Sequence, residues 1–69
     1  MAIKRVYFYA VQFWKYNRDY TYKSYIELER DDFVVVPTKN GNTVALVQRR
    51  VRKPDFECKL IKSKIDLED

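Results

Sequence analysis

The chain has no histidine, one cysteine (Cys58), one glycine (Gly41) and two prolines in 69 residues. Each scarcity excludes something. Without imidazole there is no Ser–His or Cys–His nucleophile pair and no histidine acid or base. A single thiol forms no internal disulfide, and without histidine it makes no zinc site. The adjacent acids Asp31 and Asp32, and the acidic end from Asp66 to Asp69, read as solvated turn and tail residues rather than a catalytic pair. A chain this short also has little scope for an enzyme-sized cleft. The expectation is a protein that is not an enzyme and needs no cofactor or metal.

No apolar run is long enough to span a bilayer, and MAIKRV at the N-terminus lacks the apolar stretch of a signal peptide. With one thiol and no disulfide framework, the expectation is a soluble cytoplasmic protein without a membrane partner. Sixty-nine residues form one domain, which buries only about 60% of its unfolded surface. Aromatic residues must therefore supply much of the core. A homodimer would be a further source of stability.

What is abundant is aromatic and basic. In FWKYNRDYTYKSY, residues 13–25, Phe13, Trp14, Tyr16, Tyr20, Tyr22 and Tyr25 interleave with Lys15, Arg18 and Lys23. Charge is uneven along the chain. Residues 1–25 carry five cations against Asp19, and residues 39–65 carry eight against Asp55 and Glu57. Between them, residues 26–38 hold four acids against Arg30. Two basic blocks around an acidic turn predict one basic side, which favours nucleic acid or serves solubility alone.

The hydropathy pattern is that of short strands. From Ile3 to Trp14, Val6, Phe8 and Ala10 share one face while Tyr7, Tyr9, Val11 and Phe13 share the other, so both faces are apolar. Lys15 to Asp19 reads as a loop, and Tyr20-Thr21-Tyr22 as a short strand. Lys23 to Arg30 is a helical turn or loop with Ile26 and Leu28 tucked inward. Asp31-Asp32 marks a turn before Phe33-Val34-Val35-Val36, which Pro37 ends or places at an edge. Asn40-Gly41 predicts a tight primed hairpin, because both residues tolerate positive φ. Thr43 to Val51 is its return strand, and Phe56 to Ile65 supplies one long or two short final strands. Five or six short strands predict an all-β fold, a small antiparallel barrel that closes without long exposed edges, over residues 1–69 with a short acidic tail.

The order Tyr20-Thr21-Tyr22, Asp32-Phe33-Val34-Val35-Val36-Pro37, Thr43-Val44-Ala45-Leu46-Val47 and Leu60-Ile61-Lys62-Ser63-Lys64-Ile65-Asp66 resembles the N-terminal DNA-binding domain of the replication-restart helicase PriA. That family shows an aromatic-Asp-Tyr strand, a Gly-x-x-V-x-V-P strand, a Gly-[IV]-V return strand and a closing strand ending near Asp. The resemblance covers roughly residues 5–66 and implies a small β-barrel that holds the 3′ end of a DNA strand at a fork. The pattern is also similar to that of short proteins carried by phages of Gram-positive bacteria. Thr21 stands where the family's aspartate contacts the terminal nucleotide. Lys39 stands where it has a glycine beside the same site, and Asp31 and Ala45 replace a turn glycine and a return-strand glycine.

For Phe13 and one of Tyr20 and Tyr22, burial in the core is the simpler reading. If Tyr20 and Tyr22 face inward, Thr21 faces out. Tyr16, between Lys15 and Arg18, reads as exposed and suits stacking on a base or anchoring a protein interface. In Arg49-Arg50-Val51-Arg52-Lys53, a regular strand separates Arg49 from Arg50, and the loop at Lys53-Pro54 redirects the last cations. A solvated, edge-guarding strand end explains this cluster as simply. Lys59, Lys62 and Lys64 read as the outer face of a last strand. Cys58 reads as a small half-buried hydrophobe rather than a reactive thiol. The candidate nucleic-acid contacts are Lys15, Tyr16, Arg18, Thr21, Lys23, Lys39, Arg49 and Arg50. The expected partner is single-stranded DNA or a strand end, the alternative a host protein.

Overall fold

The computed structural model describes residues 5–13 and 18–65. Ile3 and Lys4 of the expected first strand, the Trp14-Lys15-Tyr16-Asn17 stretch and the acidic tail lie outside the described residues. Five strands form one antiparallel sheet: β1 (Tyr7–Phe13), β2 (Asp19–Ser24), β3 (Phe33–Thr38), β4 (Gly41–Val51) and β5 (Ser63–Ile65), in the order β2-β1-β4-β3-β5. No helix occurs among the described residues, and Lys23 to Arg30 is strand end, bend and loop rather than a helical turn.

The sheet is not closed into a barrel by its strands. One segment nevertheless reaches both of its edges. The Lys23 N–H donates to the Lys59 carbonyl (3.0 Å) and the Ile61 N–H to the Lys23 carbonyl (2.8 Å), which makes a single parallel bridge between Lys23 and Leu60. The Lys62 N–H then donates to the Val35 carbonyl (2.8 Å), and β5 pairs with Phe33 to Val35. Residues 59–65 thus leave the edge of β2 and join that of β3. Of the one long or two short final strands expected over Phe56 to Ile65, the structure holds a single bridge at Leu60 and the three-residue β5, because a backbone divided between two edges makes few consecutive pairs with either.

Alternate residues of four strands meet in one core, as the two-residue period of a strand requires. Tyr9 and Val11 come from β1, Tyr22 from β2, Val34 and Val36 from β3, and Ala45 and Val47 from β4, with Leu28 and Ile61 added by the connections. Tyr9 is 1% exposed, and its hydroxyl accepts the Leu28 N–H at 2.7 Å. The Tyr22 hydroxyl donates to the Pro37 carbonyl at 3.1 Å. Both polar tips are thereby satisfied. Leu28 is buried as expected, whereas Ile26 is 50% exposed. The Ser24 hydroxyl both accepts the Ile26 N–H (3.0 Å) and donates to the Ile26 carbonyl (2.9 Å), a tight turn that leaves the Ile26 side chain outside.

Two turns use left-handed backbone. Asp31 has φ 71° in the turn before β3, as its tolerance of that region allows. Gly41 has φ 106°. The hairpin forms where Asn40-Gly41 predicts it, but its two loop residues are Lys39 and Asn40, with Thr38 opposite Gly41. Of the expected pair of positive φ angles only that of Gly41 is present. The Thr38 hydroxyl bridges the turn, accepting the Asn40 N–H (3.2 Å) and donating to the Gly41 carbonyl (2.7 Å).

The β1–β4 ladder contains one irregularity. Val11 faces Val47 but Ala10 faces Arg49, so Gln48 is an extra residue on β4, a bulge. Beyond it Arg49 lies on the outer side with Ala10, and Arg50 lies opposite Tyr9.

Candidate nucleic-acid interface

Two clefts meet at residues 56–58, just ahead of the segment that joins the sheet edges. The first, of 730 Å³, is walled by Tyr7 and Phe8 of β1, Lys23 of β2, Arg50 and Val51 of β4, and the loop cations Arg52 and Lys53. The second, of 970 Å³, lies between β2 and the β3–β4 hairpin and is lined by Phe13, Tyr20, Thr21, Tyr22, Thr38, Lys39, Asn40 and Lys59, among others. Both volumes fall in the usual range for binding sites, larger than so short a chain suggests. Phe56, Glu57 and Cys58 line both clefts and form the ridge between them.

The first cleft is basic. Lys23, Arg50, Arg52 and Lys53 face one acid, Glu57. The four cations arrive in three ways: Lys23 from the edge of β2, Arg50 through the bulge, and Arg52 and Lys53 because β4 ends at Val51 ahead of Pro54. The Arg50 guanidinium sits 4.8 Å from the centre of the Tyr7 ring, a cation–π contact that holds it at the cleft. Among the described residues, none of these four cations is in an ion pair.

The second cleft is aromatic and more nearly neutral. Tyr20 packs on Phe13 with ring centres 4.9 Å apart, and Tyr22 meets Phe13 edge-on at 6.4 Å. Tyr22 is core and Tyr20 is exposed, so one of the two tyrosines is buried and Phe13 packs against it. Thr21, opposite Ala10, turns its side chain to the outer face. The main chain of Lys23 bonds outward to residues 59–61. Alternate residues of an edge strand point the same way, so the Thr21 N–H and carbonyl point from that edge into the second cleft.

The residues singled out in the sequence therefore divide. Lys23 and Arg50 line the first cleft, and Thr21 and Lys39 the second. Arg49 lies on the outer face, where its Nη1 pairs with Asp19 Oδ2 at 3.1 Å. Arg18 is exposed and lines neither cleft, while Lys15 and Tyr16 lie outside the described residues. Lys59 and Lys62 are exposed, but they precede β5, and Lys64 pairs with Asp32 at 3.7 Å. Arg52, Lys53, Tyr7 and Phe56 join the candidates. The break at Lys53-Pro54 points to the two cations. Phe56 carries no sequence signal, since an aromatic residue at the start of an apolar stretch reads as core.

Two groups have shifted acidities. Burial pushes the Cys58 thiol above its ordinary 9.0, with Lys23 pulling it part of the way back, so it stays a protonated, buried side chain. Burial, then the neighbouring Tyr20, pushes Tyr22 above 10.0. No protein-family model, curated protein or solved structure matches the chain.

Proposed function

We propose that the chain is a small nucleic-acid-binding module that grips single-stranded DNA or a strand end, a cytoplasmic accessory of phage or replication-fork DNA metabolism. The observation that carries this reading is the first cleft, where four cations unpaired among the described residues surround a groove bordered by Tyr7, Phe8 and Phe56. Phosphates attract such a surface, and bases stack on its aromatic rims. The resemblance to the replication-restart domain is the reason for choosing DNA.

The test is fluorescence anisotropy with labelled single strands ending in a 3′-hydroxyl or a 3′-phosphate, over a salt series. If the four cations each neutralise one phosphate, affinity falls with a log–log salt slope of about −3, roughly −0.7 for each contact. Arg52→Ala reduces that slope by about 0.7, while Arg49→Ala leaves it within error. Weaker binding to the 3′-phosphate identifies a strand-end grip. No binding at about 50 mM salt overturns the reading.

A second reading is a module that binds and inhibits or redirects a host protein. The exposed Phe56, Tyr20 and Val44 around the second cleft favour it, since aromatic residues anchor protein interfaces.

A further inference from the structure

Of the large hydrophobic side chains described, Phe56 is the most exposed, at 62%. Its position is as unusual as its exposure, because it stands on the ridge shared by a basic groove and an aromatic one. A strand lying in the first cleft would have its phosphates against Lys23, Arg50, Arg52 and Lys53. A strand that continues past Phe56 enters the cleft of Tyr20, Lys39 and Lys59. Resting on the proposed nucleic-acid reading, we propose that one single strand occupies both clefts and that the Phe56 ring inserts between two neighbouring bases where it crosses the ridge. An apolar ring between bases unstacks them from each other and replaces that stacking with its own faces. The inserted ring fixes where the strand divides between the clefts, while the cations hold it without regard to sequence.

The proposal is tested on the full chain with oligothymidylates of about 2 to 16 nucleotides and with strands carrying 2-aminopurine at successive positions. Affinity is expected to rise in a step once the strand is long enough to pass the ridge. The fluorescence of 2-aminopurine, quenched by stacking on neighbouring bases, is expected to rise at one step along the strand. Phe56→Ala and Phe56→Ser each weaken binding about tenfold and abolish that local rise, because neither side chain reaches between two bases. The ring is exposed, so these variants should keep the fold, as checked by circular dichroism. If Phe56→Ala binds like the wild type, or no position brightens, the insertion is wrong even when Arg52→Ala still weakens binding. If the wild type binds no strand of any length, the nucleic-acid reading itself fails.

Discussion

Tyr9 shows how much one side chain carries in a core this small. It fills the centre of the sheet, and its hydroxyl is the partner of the Leu28 amide at 2.7 Å. Tyr9→Phe keeps the ring and leaves that buried N–H without an acceptor, a loss of about 1–3 kcal/mol. In urea the unfolding midpoint should fall with little change in slope. The melting temperature should fall by about 4–8 °C for each kcal/mol. An unchanged midpoint would mean that the Leu28 amide finds water instead. At Arg49 and Arg50 the opposite lesson holds. The two are neighbours in sequence, but Arg49 is bound to Asp19 on an exposed surface, worth less than about 1 kcal/mol. Arg50 is set against Tyr7 at the cleft.

Among the elements, residues 59–65 differ most from the others. They bridge two sheet edges with few backbone hydrogen bonds and one buried side chain, Ile61. Such a segment has the features of a unit that opens on its own before the sheet does. Ile61→Val, a loss of about 0.5–1.5 kcal/mol, should speed hydrogen exchange of the Lys23, Ile61 and Lys62 amides together, with a smaller change at β4. Equal acceleration everywhere would instead make the segment part of the global unit. The strands themselves were legible in the sequence as short aromatic and β-branched runs, but Tyr7 to Val11 and Phe33 to Val36 are apolar on both faces, so the inward face of each was not. The hairpin was legible from Asn40-Gly41. The final segment was not, since spacing along one stretch cannot reveal that its backbone bonds go first to one neighbour and then to another. Nor was Phe56, whose exposure is decided by the ridge it occupies.

At the level of the whole molecule, charge and acidity meet at Cys58, which lines the basic cleft and feels Lys23. The net charge of +4 gathers partly into one cleft, while the shifted groups, Cys58 and Tyr22, are buried side chains whose protonation favours the fold. In the folded state both hold protons that the unfolded chain releases above about pH 9 for the thiol and pH 10 for the phenol. Between pH 6 and 8 these two groups give stability no slope. Above pH 9 stability should fall as pH rises, and Cys58→Ala should flatten the first part of that fall in urea melts run at each pH. A decline of equal steepness in Cys58→Ala would remove the thiol as its cause. Asp31 adopts the left-handed backbone in the turn before β3, and Ala45 sits in the core. The bulge at Gln48 has a longer reach. A saturation scan along β4 should show intolerance at Ala45 and Val47, every second position, and then a slip of phase. After Gln48 the even position, Arg50, is the one opposite Tyr9, and Arg49 moves to the outer side with Ala10.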